Sequence, residues 1–330
     1  GFNIFFLIIC RKYFSHHPDS VFSFLYSKKI GVGYVFISNL LANIINFICM
    51  LPIIFKSKLE FNFKLWKRII AYSLPLLIAG FGGNMNEAAD RVLLKYLLPS
   101  NVNSMEQLGL FGANIKVAVL MTLFIQMFRF AAEPFFFNRE KDKNSKKLFA
   151  DVTKYFIIFG LFIFLGVTLY MGIVKYFIGV EYRKGLFIVP TLLMANLFLG
   201  IYFNLSMWYK LNNMTKFGAI LAIVGAVITL AINIIFVPIY GYGACAWAHL
   251  FCYLGMVSLS YYLSRKYYLI KYDFKNITFY FILALSLFFI SRFVGIKSLL
   301  LNLVFNTFLL AIYVWIVMKR EGLKKLFVKS

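Results

Sequence analysis

The sequence predicts an all-α integral membrane protein that crosses the bilayer many times. Hydrophobic residues make up 62% of its 330 residues, whereas soluble domains contain about 45–50%. Apolar stretches of the length that a spanning helix needs, about 20 residues, recur from one end of the chain to the other. The segments between them are too short to form soluble domains, so the bilayer is the environment that this composition fits.

The hydropathy pattern predicts nine complete spans and part of another. Residues 1–10 are apolar but too few to span, and we expect them to be the tail of a helix whose start is missing, as in an N-terminally truncated fragment. The nine complete spans are 30–55, 69–98, 110–137, 152–174, 187–209, 217–238, 243–264, 277–294 and 298–318.

The charge distribution predicts the orientation of the chain. The net charge is +23, with 35 Lys and Arg against 12 Asp and Glu. Alternate loops differ in their share of the basic residues, with 21 in one set and 10 in the other. The richer side is cytoplasmic in membrane proteins, which places the C-terminus in the cytoplasm. The positive charge is thereby explained without a nucleic-acid partner.

The loops and motifs argue against an enzyme. The longest external loop, residues 11–29, is about 19 residues long, shorter than the loops that usually hold the sites of membrane enzymes acting on sugars. The sequence has no phosphate-binding loop, dinucleotide fingerprint or cysteine–histidine metal spacing. We therefore expect a protein without an enzymatic site and without a cofactor.

Polar side chains form a stripe on the second complete span. Asn84, Glu87, Arg91 and Lys95 follow the spacing i, i+3, i+7, i+11, which places them on one face of a helix. Asp90 lies about 60° around the helix from Glu87 by the same geometry. The spacing predicts a polar surface within a membrane helix.

The third span carries a second stripe. Thr122, Gln126, Arg129 and Glu133 fall within an arc of about 60°, and Lys116 lies nearer the external end and to one side. Across the two spans, three carboxylates and three cations balance formally. They are Glu87, Asp90 and Glu133, and Arg91, Lys116 and Arg129.

Six ionisable groups in two neighbouring helices cannot face lipid, because each costs at least about 2.5–3.5 kcal/mol at the centre of a bilayer. One interpretation is an ion-pair network that joins the helices. The interpretation we prefer is a water-filled cavity whose cations meet an anionic substrate, since ionisable groups within membranes usually mark substrate or ion paths. We interpret His249, isolated in an apolar span, as a packed, hydrogen-bonded residue in preference to a proton relay.

Three segments resemble one family of transporters. They are residues 90–95 (DRVLLK), residues 112–137, with Gln126, Arg129 and Glu133, and residues 233–244 (NIIFVPIYGYGA). On these segments the chain is similar to the polysaccharide (Wzx-type) flippases of the multidrug/oligosaccharidyl-lipid/polysaccharide (MOP) exporter superfamily, in the style of homologues from Bacteroidetes-like bacteria.

The resemblance implies a MATE-like helical bundle of two six-helix lobes around a central cavity. Residues 1–55 would then be the last two helices of the first lobe, the first of them partial, and 56–68 a cytoplasmic linker between the lobes. Residues 69–264 would form the second lobe, and 265–330 an extra helix pair with a basic cytoplasmic tail.

The implied function is alternating-access flipping of undecaprenyl-diphosphate-linked oligosaccharide to the periplasmic leaflet, for O-antigen, lipopolysaccharide or other surface polysaccharide. Arg91 and Arg129, helped by Lys116, would compensate the diphosphate, and Asn84 and Gln126 would bond sugar hydroxyls. Glu87, Asp90 and Glu133 would position the cations or bind a coupling proton or sodium ion. Partners would be the lipid-linked oligosaccharide, membrane lipids and polysaccharide-assembly proteins. The alternatives are a MATE-like drug or metabolite exporter and a membrane polysaccharide polymerase or ligase.

Overall fold

A computed structural model of the chain describes residues 4–10, 12–13, 27, 30–56, 61–140, 142, 144–296 and 298–322. For residues 7, 8, 32, 54, 79 and 81–88 the structure describes the backbone alone. The chain divides into two compact units, Gly1–Lys67 and Arg68–Ser330.

Nine long helices account for most of the described residues, which form no β-strand. The helices are α1 (Tyr34–Lys56), α2 (Phe63–Leu97), α3 (Ser104–Arg139), α4 (Ser145–Leu169), α5 (Val189–Leu205), α6 (Lys216–Tyr240), α7 (Tyr242–Tyr267), α8 (Phe274–Val294) and α9 (Leu299–Arg320). Eight helical segments in the described part of the chain are long and apolar enough to cross a membrane. The prediction of an all-α, multi-pass membrane protein is confirmed.

The helix α2 is the long helix absent from those eight segments. It is 35 residues long and contains the second predicted span, 69–98. Glu87, Asp90 and Arg91 fall in its second half and lower its mean hydropathy. The charged residues of the predicted polar surface therefore also make α2 the least apolar of the nine helices.

The first unit contains a short π-helix (Phe5–Cys10), a 3-10 turn (Gly31–Gly33) and α1. The π-helix lies in the segment predicted to be the tail of a span. The ring of Phe6 stacks on the ring of Tyr34, with 5.2 Å between centroids, and Cys10 is buried beside them. This aromatic contact joins the N-terminal segment to the beginning of α1.

The core of the second unit forms around α5, which packs against α3, α4 and α7. Leu161 and Leu165 of α4 and Leu193 and Leu197 of α5 are fully buried. Close approach depends on Gly200, where a Cβ atom would lie 2.8 Å from Phe156 Cε1 and 3.0 Å from Ile125 Cγ1. A glycine at this position therefore lets α5 approach the helices on both sides.

One residue, Gly241, connects α6 to α7. Its φ of +58° lies in the left-handed region, which glycine adopts at little cost. The backbone N–H of Tyr242 donates to Gln107 Oε1 at 3.2 Å, and a Cβ atom on Gly241 would lie 2.6 Å from that same oxygen. This turn explains the Gly-x-Gly pattern at 241–243 and brings α6 and α7 together as an antiparallel pair.

The helices α8 and α9 pack on α4 and are fixed there by polar contacts at both ends. At one end, Lys154 Nζ and Glu321 Oε2 form an ion pair of 2.7 Å, and the Tyr280 hydroxyl donates to Glu321 Oε1 at 2.8 Å. At the other end, Asn306 Nδ2 donates to the Leu169 carbonyl oxygen at 2.7 Å. The C-terminal pair is thus an integral part of the second unit.

Candidate functional site

The predicted stripe on α2 is described in part. Asn84 and Glu87 belong to the α2 backbone, but their side chains lie outside the described residues. Arg91 is exposed, whereas Asp90 is fully buried. The second half of α2 therefore has two adjacent charged residues with opposite surroundings.

Asp90 lies at the contact of three helices. Asn233 Nδ2 of α6 donates to Asp90 Oδ1 at 2.6 Å, and His249 Nε2 of α7 contacts Asp90 Oδ2. Asn233 is fully buried and His249 is 5% exposed. These three residues, which we call the Asp90 cluster, form a polar centre in an otherwise apolar contact.

In the Asp90 cluster, Asp90 contacts a partner that the sequence analysis had not identified. Its charge was balanced against Arg91, Lys116 and Arg129, whereas among the described residues His249 is the one basic group within 4 Å of its carboxylate. The interpretation of His249 as a packed residue agrees with its burial but left its partner unnamed. The signal in the sequence was an aspartate and an isolated histidine, each within a predicted span, but nothing in the sequence related the two spans.

A second polar centre forms on α3 around Glu133. Arg129 Nη2 lies 3.4 Å from Glu133 Oε1, one helical turn away. Lys210 Nζ donates to the same oxygen at 2.7 Å. The Arg129 guanidinium also lies over the ring of Phe203, 4.1 Å from its centroid. We call Arg129, Glu133 and Lys210 the Glu133 network; its formal charge is +1.

Lys210 reaches this network because the chain bends after α5. That helix ends at Leu205, and a short helix (Met207–Leu211) follows Ser206. The side chain of Lys210 is 14% exposed, although the sequence placed this residue in a cytoplasmic loop. Its role was missed because nothing local in the sequence relates Lys210 to Glu133, 77 residues earlier.

The Arg129 side chain has an unused donor. Among the described residues, its Nε is buried without a hydrogen-bond partner. A small cleft beside it is lined by Phe128, Glu133, Phe203 and Asn204. Two cations share one carboxylate here, and the spare Arg129 N–H beside the cleft can donate a hydrogen bond to a further anionic oxygen.

The remaining predicted residues stay apart from both centres. The side chains of Lys116 and Gln126 are exposed. Thr122, from the same predicted stripe, accepts a hydrogen bond from Asn196 Nδ2 of α5 at 3.2 Å. The structure thus joins Arg129 to Glu133 and separates both from Asp90.

A cavity of about 770 Å³ lies between α4, α5, α7, α8 and α9. Its wall is mostly apolar and includes Phe164, Trp247 and Phe288. Two cations, Lys175 and Arg292, also line it. No pattern in the sequence predicted this cavity, because its wall is assembled from five helices. Within the described residues, no group of three or more His, Cys, Asp or Glu could hold a metal ion.

Comparison by sequence gives no relative. No protein-family model matches the chain, and no curated protein matches it. Comparison of structures gives membrane transporters. The lipid II flippase MurJ, in an inward closed conformation, matches with a TM-score of 0.66 at 17% identity, over 89% of this chain and 63% of that one.

Two further structures match at lower scores. A MOP superfamily transporter from Pyrococcus furiosus, whose binding pocket is described as having reverse polarity, has a TM-score of 0.51 at 14% identity. An outward-facing multidrug resistance MATE family transporter of the MOP superfamily has a TM-score of 0.50 at 14% identity. Each match covers 69% of this chain and 54% of the other.

The chain therefore spans less than two thirds of the length of the structures it matches. At these identities the likeness concerns the fold, and all three structures agree on it. Together with the nine helices, the comparisons show that this chain has the fold of the MOP superfamily transporters.

Proposed function

We propose that this protein is a transporter, not an enzyme, that flips undecaprenyl-diphosphate-linked oligosaccharide from the cytoplasmic to the periplasmic leaflet by alternating access. The observation that carries the proposal is the Glu133 network. Two cations converge on one carboxylate oxygen, at 3.4 and 2.7 Å, in a helix long and apolar enough to cross a membrane. The fold supports the same class, since one matching structure is named a lipid II flippase.

The network suits an anionic headgroup because its positive charge is balanced only in part. A diphosphate brings acceptor oxygens that can replace Glu133 as the partner of Arg129 and Lys210. Charge-assisted hydrogen bonds to phosphate are among the strongest that side chains make, and Arg129 retains an unused Nε donor. Glu133 would hold the two cations in place when no substrate is present.

The other predicted residues receive supporting roles in the proposal. Arg91 and Lys116 have exposed side chains that can attract the diphosphate. Asn84 and Gln126 would bond sugar hydroxyls, and Glu87 would help to position the cations. Asp90 has no role in this cation site, because both of its carboxylate oxygens already contact other residues, His249 and Asn233.

We place the protein in a bacterial inner membrane with its C-terminus in the cytoplasm, where the more basic loops would lie. In the proposed organisation, residues 1–55 belong to one lobe, 56–68 to a linker, 69–264 to the second lobe and 265–330 to an extra helix pair. O-antigen or another surface polysaccharide would be the end product, and the proteins that assemble it are the proposed partners.

The test uses the host in which the complete gene has been deleted. Lipid-linked oligosaccharide should accumulate on the cytoplasmic leaflet, with loss of surface polysaccharide, and wild type should restore export. Arg129→Ala should fail to restore it. The control is Arg139→Ala, which removes an arginine from the end of the same helix where its side chain is 58% exposed.

Two results would contradict the proposal. Full rescue by Arg129→Ala and Arg91→Ala would remove the role of the cations in substrate binding. Normal surface polysaccharide with altered sensitivity to toxic cations would favour a drug or metabolite exporter, in line with the similarity to a multidrug resistance transporter. The Glu133 network would then be a structural contact between helices.

A further inference from the structure

The cavity of about 770 Å³ between α4, α5, α7, α8 and α9 is separate from the Asp90 cluster and from the Glu133 network. Along α8 it extends from Arg292 to Leu285, which is seven residues or about 10 Å of helix. In the proposed orientation this is the external end of the spans. One leaflet supplies about 15 Å of the hydrocarbon core, so the cavity lies within the depth of a single leaflet.

The cavity opens at the surface of the second unit. Trp247 and Phe289 line it with side chains that are 52% and 50% exposed. At the depth of the spans, an open apolar surface is in contact with hydrocarbon chains. Most of the wall offers water no hydrogen bond, so an apolar molecule suits this space better than water does.

The wall changes from polar to apolar with depth. Near the external end, Ser291 and Asn302 line the cavity, and each forms a hydrogen bond of 2.7 Å with the buried Asn306 side chain. The ring of Phe288, one helical turn below Arg292, begins the apolar part. The cavity therefore has a polar mouth and an apolar interior.

Two cations lie at the mouth. Arg292 is exposed near the end of α8, and Lys175 follows a short helix (Met171–Val174) after α4. Arg183 Nε donates to the Lys175 carbonyl oxygen at 2.9 Å and so fixes the backbone at Lys175. None of the described residues that line the cavity is acidic. An anionic group at the mouth therefore meets positive charge without a competing carboxylate in the wall.

We propose that this cavity binds one anionic phospholipid of the external leaflet. The phosphate contacts Lys175 and Arg292, and an acyl chain passes Phe288 toward Phe164. An uncharged lipid leaves both cations without a partner, and a prenyl chain alone uses neither the cations nor the polar mouth. The proposal rests on the membrane class of the protein and not on its proposed substrate, because lipid binding is measurable without flipping.

A lipid bound in this cavity joins the C-terminal helix pair to the rest of the unit. Its wall comes from α8 and α9 as well as from α4, α5 and α7, so one molecule contacts all five helices. A ligand that binds the folded state and not the unfolded chain stabilises the folded state by mass action. Anionic phospholipid should therefore raise the unfolding temperature, and the increase should depend on Lys175 and Arg292.

The first experiment measures lipid binding to the purified full chain by native mass spectrometry. The probes are phosphatidylglycerol, which is anionic, and phosphatidylethanolamine with the same acyl chains, which has no net charge. We expect the wild type to retain one phosphatidylglycerol in preference to phosphatidylethanolamine. Each cation near the membrane surface strengthens the binding of an anionic lipid about fivefold, so Lys175→Gln/Arg292→Gln should weaken phosphatidylglycerol binding about 30-fold.

Three further variants serve as controls. Lys147→Gln/Arg265→Gln removes two exposed cations from the opposite end of the unit and should leave the preference unchanged. Lys175→Arg/Arg292→Lys keeps both charges and should keep the preference too. Thr191→Trp places a large side chain in the cavity and should reduce the retention of both lipids. If Lys175→Gln/Arg292→Gln fails to fold, Arg292→Gln alone, at an exposed position, should still weaken phosphatidylglycerol binding about fivefold.

The second experiment follows thermal unfolding in detergent as each lipid is added. Phosphatidylglycerol should raise the unfolding temperature of the wild type and not that of Thr191→Trp. Equal retention of both phospholipids by the wild type overturns the proposal, as does an equal loss of binding in Lys175→Gln/Arg292→Gln and Lys147→Gln/Arg265→Gln. Displacement of phosphatidylglycerol by undecaprenol, an uncharged prenyl alcohol whose binding the charge variants leave unchanged, assigns the cavity to a prenyl chain and also overturns it.

Discussion

The ion pair between Lys154 and Glu321 offers a quantitative test of how α8 and α9 are held against α4. The two side chains are only 12% and 6% exposed, with 2.7 Å between Nζ and Oε2. At that distance the Coulomb attraction is about 6 kcal/mol for an effective dielectric constant near 20. Most of this gain offsets the cost of removing both ions from water.

Removing one member of this ion pair should cost more free energy of unfolding than the intact pair contributes. Glu321→Gln keeps an oxygen for the Tyr280 hydroxyl, which lies 2.8 Å from Glu321 Oε1, but it removes the carboxylate charge that contacts the buried Lys154 ammonium. We expect a loss of about 3–5 kcal/mol in the free energy of unfolding, the range measured when buried pairs lose one partner. Lys154→Met combined with Glu321→Gln should recover most of it.

The assay is reversible unfolding in mixed micelles, with Asp142→Asn as the matched control. Asp142 also pairs with a cation, at 3.1 Å from Arg139 Nη1, but both side chains are about half exposed. Exposed pairs of this kind contribute about 0–1 kcal/mol. Equal losses for Glu321→Gln and Asp142→Asn would refute the conclusion that burial makes the Lys154–Glu321 pair important.

Three further predictions concern a glycine, a helix cap and an aromatic contact. Gly200→Ala would push a methyl group against the buried ring of Phe156, 2.8 Å from Cε1, and should lower stability by about 1–3 kcal/mol; Gly166→Ala, where the space is open, should not, as thermal unfolding of both variants would show. Asp273 accepts from the Asn276 side chain and backbone at the start of α8, and these hydrogen bonds lower the pKa of its carboxyl. Because the folded-state pKa lies below the unfolded value of about 3.9, the cap stabilises the protein above that pH, and this stabilisation is lost as the pH falls through the lowered pKa. Asp273→Ala should therefore cost about 0.5–2 kcal/mol of stability at neutral pH. The cost should disappear in acid, as unfolding measured at a series of pH values would show. Phe203→Leu removes the ring 4.1 Å from the Arg129 guanidinium, a contact of about 0.5–2 kcal/mol, and should raise the substrate concentration for half-maximal flipping with little change in maximal rate; an unchanged half-maximal concentration would show that Phe203 does not position Arg129.

The sequence alone determined the class of the protein and the positions of its helices. Membrane spans are local features, because each depends on about 20 consecutive apolar residues and on the turns between them. Each of the nine predicted spans overlaps one of the helices, and the Gly-x-Gly pattern at 241–243 falls at the turn between α6 and α7. Spacing also placed Arg129 and Glu133 on one helical face, where they form an ion pair one turn apart.

The partners of the buried charges followed only from the packing of distant helices. Asp90 meets Asn233 across 143 residues of chain, and Glu133 meets Lys210 across 77. No local period relates such residues, because their distance is set by how α2, α6 and α7 approach one another and by the bend after α5. The charge balance drawn from two spans gave Asp90 no particular partner, and the folded chain places it against His249, which the sequence had shown only as an isolated polar residue.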